Sequence, residues 1–293
     1  MIPLIHKVIR QESLALESAR EPFSFLKYST PNSGKRFDDK VIFLVFGSGA
    51  DEPFLCVKTV RSYQAKDVVI RNYENLKKLN QLAEGSAYAG LFATARHLFD
   101  DGEQIFSIET ACSGRRLKLD EEMLRHIAST YAKFHTHLAK NAPPVDLLRF
   151  AEGIVDASGF GADDQEKLLA HIKSLSSLAV SLPRIMQHGD LTEDNILISD
   201  RGFQIVDCDF IGTTDLPGFD LFGLFRRHNP KQAKELSRRY LPDYFKSVGA
   251  TVPPEEYETL FFLYYLIERL RKSASGRGQT VAGIVADYES SLV

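Results

Sequence analysis

Short stretches of alternating apolar and polar residues dominate the N-terminal third of the chain. Such alternation places every second side chain on one face and is typical of β-strands. It predicts strands at 23–28, 41–46 and 54–60, with weaker candidates at 90–95 and 104–108. The glycine-rich segment 47–53 lies between the second and third strands, so these two strands are expected to form a hairpin.

Apolar residues at helical spacing replace this alternation over most of the chain that follows. They predict helices at 67–82, 119–140, 165–180, 231–249 and 255–272, and residues 1–20 fit an amphipathic helix or a loose extension. Pro, Gly and Asp are frequent at 141–164, which predicts a loop. The longest apolar run, Leu260–Ile267, falls far short of the ~20 residues that span a bilayer, so a buried helix is expected there and no membrane segment.

Strands grouped before helices predict an α+β fold. We expect a helical extension at 1–22, a small β-rich N-lobe at 23–112 and a larger, mainly helical C-lobe at 113–293. The change of character falls near residues 109–116.

Composition narrows the class of protein. The chain has 293 residues, of which 44% are hydrophobic and 26% charged, as in ordinary globular proteins. Its formal net charge of -3 gives no basic field for nucleic acid. Cys56, Cys112 and Cys208 are far apart, so neither a disulfide framework nor a zinc site is expected. Because the start also lacks the pattern of a secretory signal, we expect reduced thiols and a cytoplasmic location.

The segment His188–Leu197, HGDLTEDNIL, concentrates charge beside an apolar run. Four residues separate Asp190 from Asn195, and Asp207 follows the next apolar run. Phosphoryl transfer needs an acid that orients the acceptor hydroxyl and oxygen ligands that hold Mg²⁺ against the phosphates. The pattern therefore suggests Asp190 as base and Asn195 and Asp207 as metal ligands, with His188 as a structural residue. Taken alone, the same residues also suit a polar turn.

These residues resemble the catalytic loop and metal motif of the aminoglycoside phosphotransferase and choline kinase family, which has a two-lobed protein-kinase-like fold. His188-Gly189-Asp190, Asn195 and Val206-Asp207 match that family's motifs. The resemblance implies a small-molecule kinase that uses ATP and Mg²⁺ to phosphorylate a hydroxyl group. It also implies that Asp220 braces the catalytic loop, although Asp220 could equally cap a helix.

The resemblance also assigns residues of the N-lobe. Lys58 resembles the strand lysine that contacts nucleotide phosphates, and Glu74 resembles the helix glutamate that pairs with it. The alternatives are an exposed strand lysine and a surface partner for neighbouring lysines. Glu109 and Ala111 lie in a segment that resembles the family's hinge, where backbone groups would meet the adenine.

Two features depart from the pattern. The segment Ser29–Asp39, which should cover the phosphates, contains a single glycine, and Ser33 and Gly34 are its candidate nucleotide contacts. Asp209 provides a second acid after Asp207 and could bind another ion or face water.

The acceptor region carries basic residues, including Arg226-Arg227-His228. Acidic or aromatic surroundings would suit a cationic acceptor, so we favour a neutral or anionic hydroxyl compound such as a sugar or sugar derivative. The irregular 29–39 segment leaves open an inactive kinase-like binding or scaffolding protein. A metallophosphoesterase would need clustered histidines, and the eight histidines are scattered. The acceptor, the choice of ATP or GTP and the oligomeric state stay undetermined.

Overall fold

The computed structural model describes residues 1–12, 14, 21–29, 40–116, 119–175, 180–200, 202–272 and 280–291. Its contacts divide the chain into two compact units. The first comprises Met1–Leu117 and Asp194–Ile211, and the second comprises Lys118–Glu193 and Gly212–Val293. This division differs from the predicted boundary at 112/113. It also returns 194–211 to the first unit, because strand pairing joins that segment to residues near 92 and 115.

The first unit is built on an antiparallel five-stranded sheet with the order β1-β2-β3-β5-β4. A separate hairpin, β8-β9, comes from the later segment of the chain. The elements of this unit are α1 (Ile2–Gln11), β1 (Ser24–Ser29), β2 (Lys40–Phe46), β3 (Leu55–Val60), α2 (Lys66–Ala83), β4 (Ala95–Asp100), β5 (Ile105–Thr110), β8 (Ile196–Ser199) and β9 (Gly202–Ile205).

Both faces of the sheet are covered. Strand β2 alternates regularly, so that Val41, Phe43 and Val45 share a core with buried residues of α1. Helix α2 packs against the opposite face, where Val60 and Val69 belong to a second cluster. Strand β3 is consequently buried along its whole length. The N-terminal helix is thus part of the core of its unit and not a loose extension.

The second unit is mainly helical, with one short two-stranded sheet. Its central helix holds the apolar run predicted from the sequence, and every residue of that run, 260–267, is buried. Among the described residues no helix is long and apolar enough to cross a membrane. The elements of this unit are α3 (Glu121–Ala139), β6 (Pro144–Asp146), α4 (Leu147–Asp156), α5 (Ala162–Leu175), β7 (Ser181–Pro183), α6 (Phe219–His228), α7 (Ala233–Ser247), α8 (Tyr257–Lys272) and α9 (Val281–Ser291).

The predicted α+β class, with a β-rich N-terminal part and a mainly helical C-terminal part, is confirmed. The loop predicted at 141–164 is wrong, since it contains α4. The Asp146 side chain caps this helix, and Leu147, Ala151 and Val155 form a buried stripe at intervals of four residues. The strand predicted at 90–95 is displaced, because a 3₁₀ turn occupies Ala89–Leu91 and β4 begins at Ala95.

The packing of α1 predicts that two isoleucines of this helix contribute differently to the free energy of unfolding. Ile9 is fully buried in the core of the first unit, whereas Ile2 is 41% exposed. Ile9→Ala should lower the free energy of unfolding by about 2–4 kcal/mol, because it removes buried methylenes and leaves a cavity. Ile2→Ala, the matched control, should change it by less than about 0.5 kcal/mol. Denaturant unfolding of both variants measures the difference, and equal values would contradict the packing described for α1.

Candidate functional site

The segment that carries Asp190 lies in the second unit and is held by one buried carboxylate. His188 and Gly189 are buried, and Asp190 is half-buried. The backbone N–H of His188 donates to Asp220 Oδ2 at 2.6 Å, and the N–H of Gly189 donates to Asp220 Oδ1 at 2.8 Å. The Asp190 N–H donates to His188 Nδ1 at 3.4 Å. Gly189 has φ +86°, a conformation that favours glycine.

Asp220 is 1% exposed and lies in the first turn of α6, after an N-cap at Gly218. It receives a third hydrogen bond, at 2.6 Å, from the Tyr131 hydroxyl of α3. Burial raises the pKa of Asp220, while His188, Tyr131 and the two backbone amides favour the charged form. Tyr131 lies in the helix predicted at 119–140 and was not among the predicted site residues, so its hydroxyl contact was missed.

A glycine and a tyrosine fix the start of α6 and thereby the position of Asp220. Gly218 has φ +88°, and a Cβ atom there would come within 2.6 Å of the Tyr264 hydroxyl. That hydroxyl donates to the Pro217 carbonyl at 2.5 Å. Any side chain at position 218 would therefore disturb both the backbone and this hydrogen bond.

A second layer of aromatic residues supports Tyr131. The ring of His135 lies 4.2 Å from that of Tyr131, and His135 Nδ1 is 2.7 Å from the Tyr244 hydroxyl. His135 is completely buried, which lowers its pKa to about 3. The imidazole is therefore neutral at ordinary pH.

In the first unit, Lys58 is buried on the face of the sheet that α2 covers. Its Nζ atom lies 2.8 Å from Glu109 Oε1. The strand register explains this pair: Glu109 is opposite Cys56, so Lys58 and Glu109 are diagonal neighbours on one face. Burial lowers the pKa of Lys58, but the negative charge of Glu109 and other nearby groups raise it by a larger amount. The net shift of the Lys58 pKa is therefore upward. The lysine is therefore fully charged.

The predicted pairing of Lys58 with Glu74 is wrong in this structure. Glu74 is exposed on α2, whereas Asn72 and Leu76 are buried on its inner face. Positions two residues apart on a helix point about 200° apart, so a helix that buries Asn72 turns Glu74 outward. The inward position carries Asn72, whose Nδ2 donates to Asp209 Oδ1 at 2.6 Å.

The predicted hinge contacts are also changed by the strand pairing. Glu109 lies within β5, which has a neighbouring strand on each side, and its side chain binds Lys58. The Ala111 N–H donates to the Phe54 carbonyl at 3.1 Å, so it is already engaged within the protein. Ser33 and Gly34, with the rest of the predicted phosphate-covering segment, lie outside the described residues.

The two predicted metal ligands flank the hairpin β8-β9. The Val206 N–H donates to the Asn195 carbonyl at 2.9 Å, which places Asn195 opposite the residue that precedes Asp207. Asp207 adopts a left-handed conformation, with φ 61° and ψ 58°. This ends the extended backbone and redirects the Asp207 side chain. Backbone strain of this kind costs on the order of 1–3 kcal/mol and clusters at functional sites.

A lysine that sequence reasoning missed joins the two acids after β9. Lys40 Nζ is 2.9 Å from Asp207 Oδ1 and forms a second, shorter ion pair with Asp209. Asp209 is buried and does not face water as one alternative had it. Only its position at the start of β2, directly after the 29–39 segment, could have drawn attention to Lys40.

The side chains of Asn195 and Asp207 have the chemistry that a hard divalent cation requires. Asn195 and Asp207 offer amide and carboxylate oxygens, which Mg²⁺ prefers, and the Lys40 ammonium shows that a cation is accommodated beside Asp207 and Asp209. Among the described residues no cluster of three or more His, Cys, Asp or Glu side chains is arranged for a metal. The set therefore suits a magnesium ion that is also held by a phosphate ligand, and not an ion enclosed by protein alone.

Comparison with known proteins identifies the family. The sequence model of the phosphotransferase enzyme family (APH) matches residues 93–249, which is more than half of the chain. No curated protein sequence matches.

Solved structures with low sequence identity share the fold. Choline kinase LicA from Streptococcus pneumoniae is 17% identical, with a TM-score of 0.55 and coverage of 99% of this chain and 97% of that one. An ethanolamine kinase from Plasmodium vivax is 10% identical, with a TM-score of 0.55 and coverage of 99% and 87%. An aminoglycoside-3'-phosphotransferase of type VIII is 18% identical, with a TM-score of 0.50 and coverage of 90% and 100%.

The buried histidine predicts a pH dependence of stability. The folded protein protonates His135 only near pH 3, whereas the unfolded chain does so near its ordinary pKa of about 6.5. Between these values falling pH favours the unfolded state, so stability is lost as pH falls below about 6.5. His135→Asn, whose amide can still hydrogen-bond Tyr244, removes this titration.

Denaturant unfolding at pH 7 and pH 5 tests this prediction. The loss of stability between the two should be about 2 kcal/mol smaller in His135→Asn than in the unchanged protein. His126→Asn, at an exposed position of the same helix, should behave like the unchanged protein. An identical loss in all three proteins would show that His135 does not titrate as its burial requires.

Proposed function

We propose that this chain, which belongs to the phosphotransferase enzyme family and is a small-molecule kinase, transfers the γ-phosphate of ATP to a hydroxyl group. The acceptor proposed is a sugar or a sugar derivative. The proposal rests on the position of Asp190, a half-buried acid. The backbone amides of the two residues before it, His188 and Gly189, donate hydrogen bonds to the buried carboxylate of Asp220.

Asp190 acts as the base. Its carboxylate takes the proton of the acceptor hydroxyl, and the oxygen forms a bond to the γ-phosphorus. The bond between that phosphorus and the bridging oxygen breaks, and ADP leaves with the electron pair. Because Asp220 holds His188 and Gly189, the carboxylate of Asp190 need not be reoriented at each turnover. Proper orientation is the main contribution that a protein can make to this reaction.

Residues of the first unit neutralise the negative charge of the nucleotide phosphates. Lys58, held by Glu109 in place of the expected Glu74, supplies a buried positive charge. Asn195 and Asp207 would hold Mg²⁺, which neutralises charge on the phosphates when it is bound. Burial raises the pKa of all three free cysteine thiols, that of Cys112 to about 12. Unpaired, protonated thiols fit the reducing, cytoplasmic location that we propose.

Replacement of the base tests the proposed reaction. Asp190→Asn should lower kcat by about 10²–10⁴-fold, which is the usual contribution of a positioned base, and should leave Mg·ATP affinity unchanged. Transfer of labelled γ-phosphate into pooled hydroxyl compounds measures kcat, and calorimetry measures affinity. The control is Asp194→Asn, an exposed acid in the same segment, which should retain activity.

Each outcome of that experiment is informative. Transfer by Asp190→Asn within threefold of the unchanged protein would contradict the role of Asp190. Binding of Mg·ATP without transfer into any pool by the unchanged protein would favour the inactive binding or scaffolding alternative.

Lys40 should compete with the metal for Asp207. Removing the ammonium in Lys40→Met should therefore raise the affinity for Mn²⁺, used as a probe for Mg²⁺, by about tenfold, on the scale of one charged hydrogen bond. Electron paramagnetic resonance of free Mn²⁺, without nucleotide, gives the dissociation constant. Lys27→Met, an exposed lysine of β1, is the control and should not change it. Weaker or equal Mn²⁺ binding by Lys40→Met would contradict a metal role for Asp207.

A further inference from the structure

A pocket within the second unit opens directly beside Asp190. It is lined by residues 189–192, by Phe219, Asp220, Gly223 and Arg227 of α6, and by Glu268 of α8. We propose that this pocket selects a hydroxy acid as acceptor: a small molecule with a hydroxyl group at Asp190 and a carboxylate or phosphate group at Arg227. This inference rests on the proposed function and names its substrate class.

The arginine pair on α6 is arranged asymmetrically around Glu268. Arg226 forms the closer ion pair with Glu268, and both side chains are largely buried, at 17% and 11% exposure. Arg227 Nη2 lies 3.4 Å from the other oxygen of the same carboxylate, and its side chain is 47% exposed. A guanidinium has five N–H donors, so Arg227, which lines the pocket, retains donors beyond the one near Glu268. Glu268 is thus neutralised mainly by Arg226, and Arg227 supplies the spare positive charge.

A guanidinium binds carboxylate and phosphate groups through paired hydrogen bonds, and this gives both strength and direction. The other acids of the lining are already committed. Asp220 holds two backbone amides and the Tyr131 hydroxyl, and Asp190 is assigned to the acceptor hydroxyl. Among the described residues of the lining, an anionic group on the acceptor would therefore meet a cation at Arg227 and, apart from Asp190, carboxylates that already have partners.

A cationic acceptor fits poorly. A cationic group near Glu268 would have to displace Arg226 or lie beside Arg227, and either arrangement brings two positive charges together. Quaternary ammonium groups are usually enclosed by several aromatic rings, whereas Phe219 is the single aromatic residue among the described residues that line this pocket. The composition of the pocket thus agrees with the preference for a neutral or anionic acceptor that the basic run 226–228 suggests.

The helix also sets the size of the acceptor. Asp220, Gly223 and Arg227 follow one face of α6, at spacings of three and four residues. Asp220 and Arg227 are seven positions apart in the sequence, which is about 10 Å along the helix axis. Since Asp220 anchors the segment of Asp190, the hydroxyl and the anionic group should lie several bonds apart, as at the two ends of a sugar acid.

Matched acceptors test this inference. Glucuronate, glucose and glucosamine share one ring and differ in charge, and larger pools of hydroxy acids, neutral polyols and amino alcohols extend the comparison. Calorimetric titration in the presence of Mg²⁺ and a non-hydrolysable ATP analogue measures binding, and labelled phosphate transfer measures kcat and KM. The acids should bind at least tenfold more tightly than their neutral and amino counterparts, and their KM values should be lower in the same proportion.

Variants assign the effect to Arg227. Arg227→Ala should raise KM for the acids at least tenfold with little change in kcat, and Arg227→Lys should recover part of the loss. Arg238→Ala is the control, because Arg238 is 57% exposed on α7 and pairs with Glu258 away from the pocket. Tighter binding of amino alcohols, equal binding of all three classes, no binding of any acid, or acid binding unchanged in Arg227→Ala would overturn the inference.

The two assays separate this inference from the proposed function. If acids bind through Arg227 but no phosphate is transferred, the binding of acids by this pocket stands and the kinase activity fails. If phosphate enters neutral or amino acceptors through Asp190, the kinase activity stands and the substrate class fails.

Discussion

The buried carboxylate of Asp220 is the group on which the segment of the proposed base, Asp190, depends. A carboxylate removed from water costs several kcal/mol unless it is hydrogen-bonded or paired. Asp220 meets this requirement with three donors, namely the amides of His188 and Gly189 and the hydroxyl of Tyr131. The same bonds tie α3, α6 and the segment before Asp190 together. Stability and the placement of the proposed base therefore follow from one set of hydrogen bonds.

Buried charges in the first unit are also compensated, but by other side chains. Lys58 pairs with Glu109 across β3 and β5, and strand register sets this pair. Asp209 lies in the 3₁₀ turn Cys208–Phe210, where it pairs with Lys40 of β2 and accepts a hydrogen bond from Asn72 of α2. The left-handed Asp207 is the one strained non-glycine residue among those described, and it stands at the proposed metal position.

Local patterns in the sequence were sufficient to predict the fold class and to single out the segment that we propose to be catalytic. The spacing of Asp190, Asn195 and Asp207 is a property of consecutive residues, and alternation and helical spacing are read within short windows. The contacts that bring distant residues together were not accessible in this way. Glu109 pairs with Lys58 through register, and Glu74 points outward through helix phase, so family order alone gave the wrong partner.

Composition gave a wrong prediction at α4. Frequent Pro and Gly in 141–164 favoured a loop, although the capping residue and the apolar residues at helical spacing are present in the sequence. Lys40 had no recognisable pattern, since its importance comes from two acids more than 160 residues away along the chain. Such partners become visible only when the fold is known.

The most direct test of this account is the effect of Asp220→Asn on phosphate transfer and nucleotide binding. The amide nitrogen of Asn cannot accept the hydrogen bonds that the second carboxylate oxygen accepts, so the segment of Asp190 should shift. We expect kcat for labelled γ-phosphate transfer to fall at least 100-fold and the dissociation constant of Mg·ATP to change less than threefold. A variant that keeps its kcat would show that Asp220 does not position the proposed base.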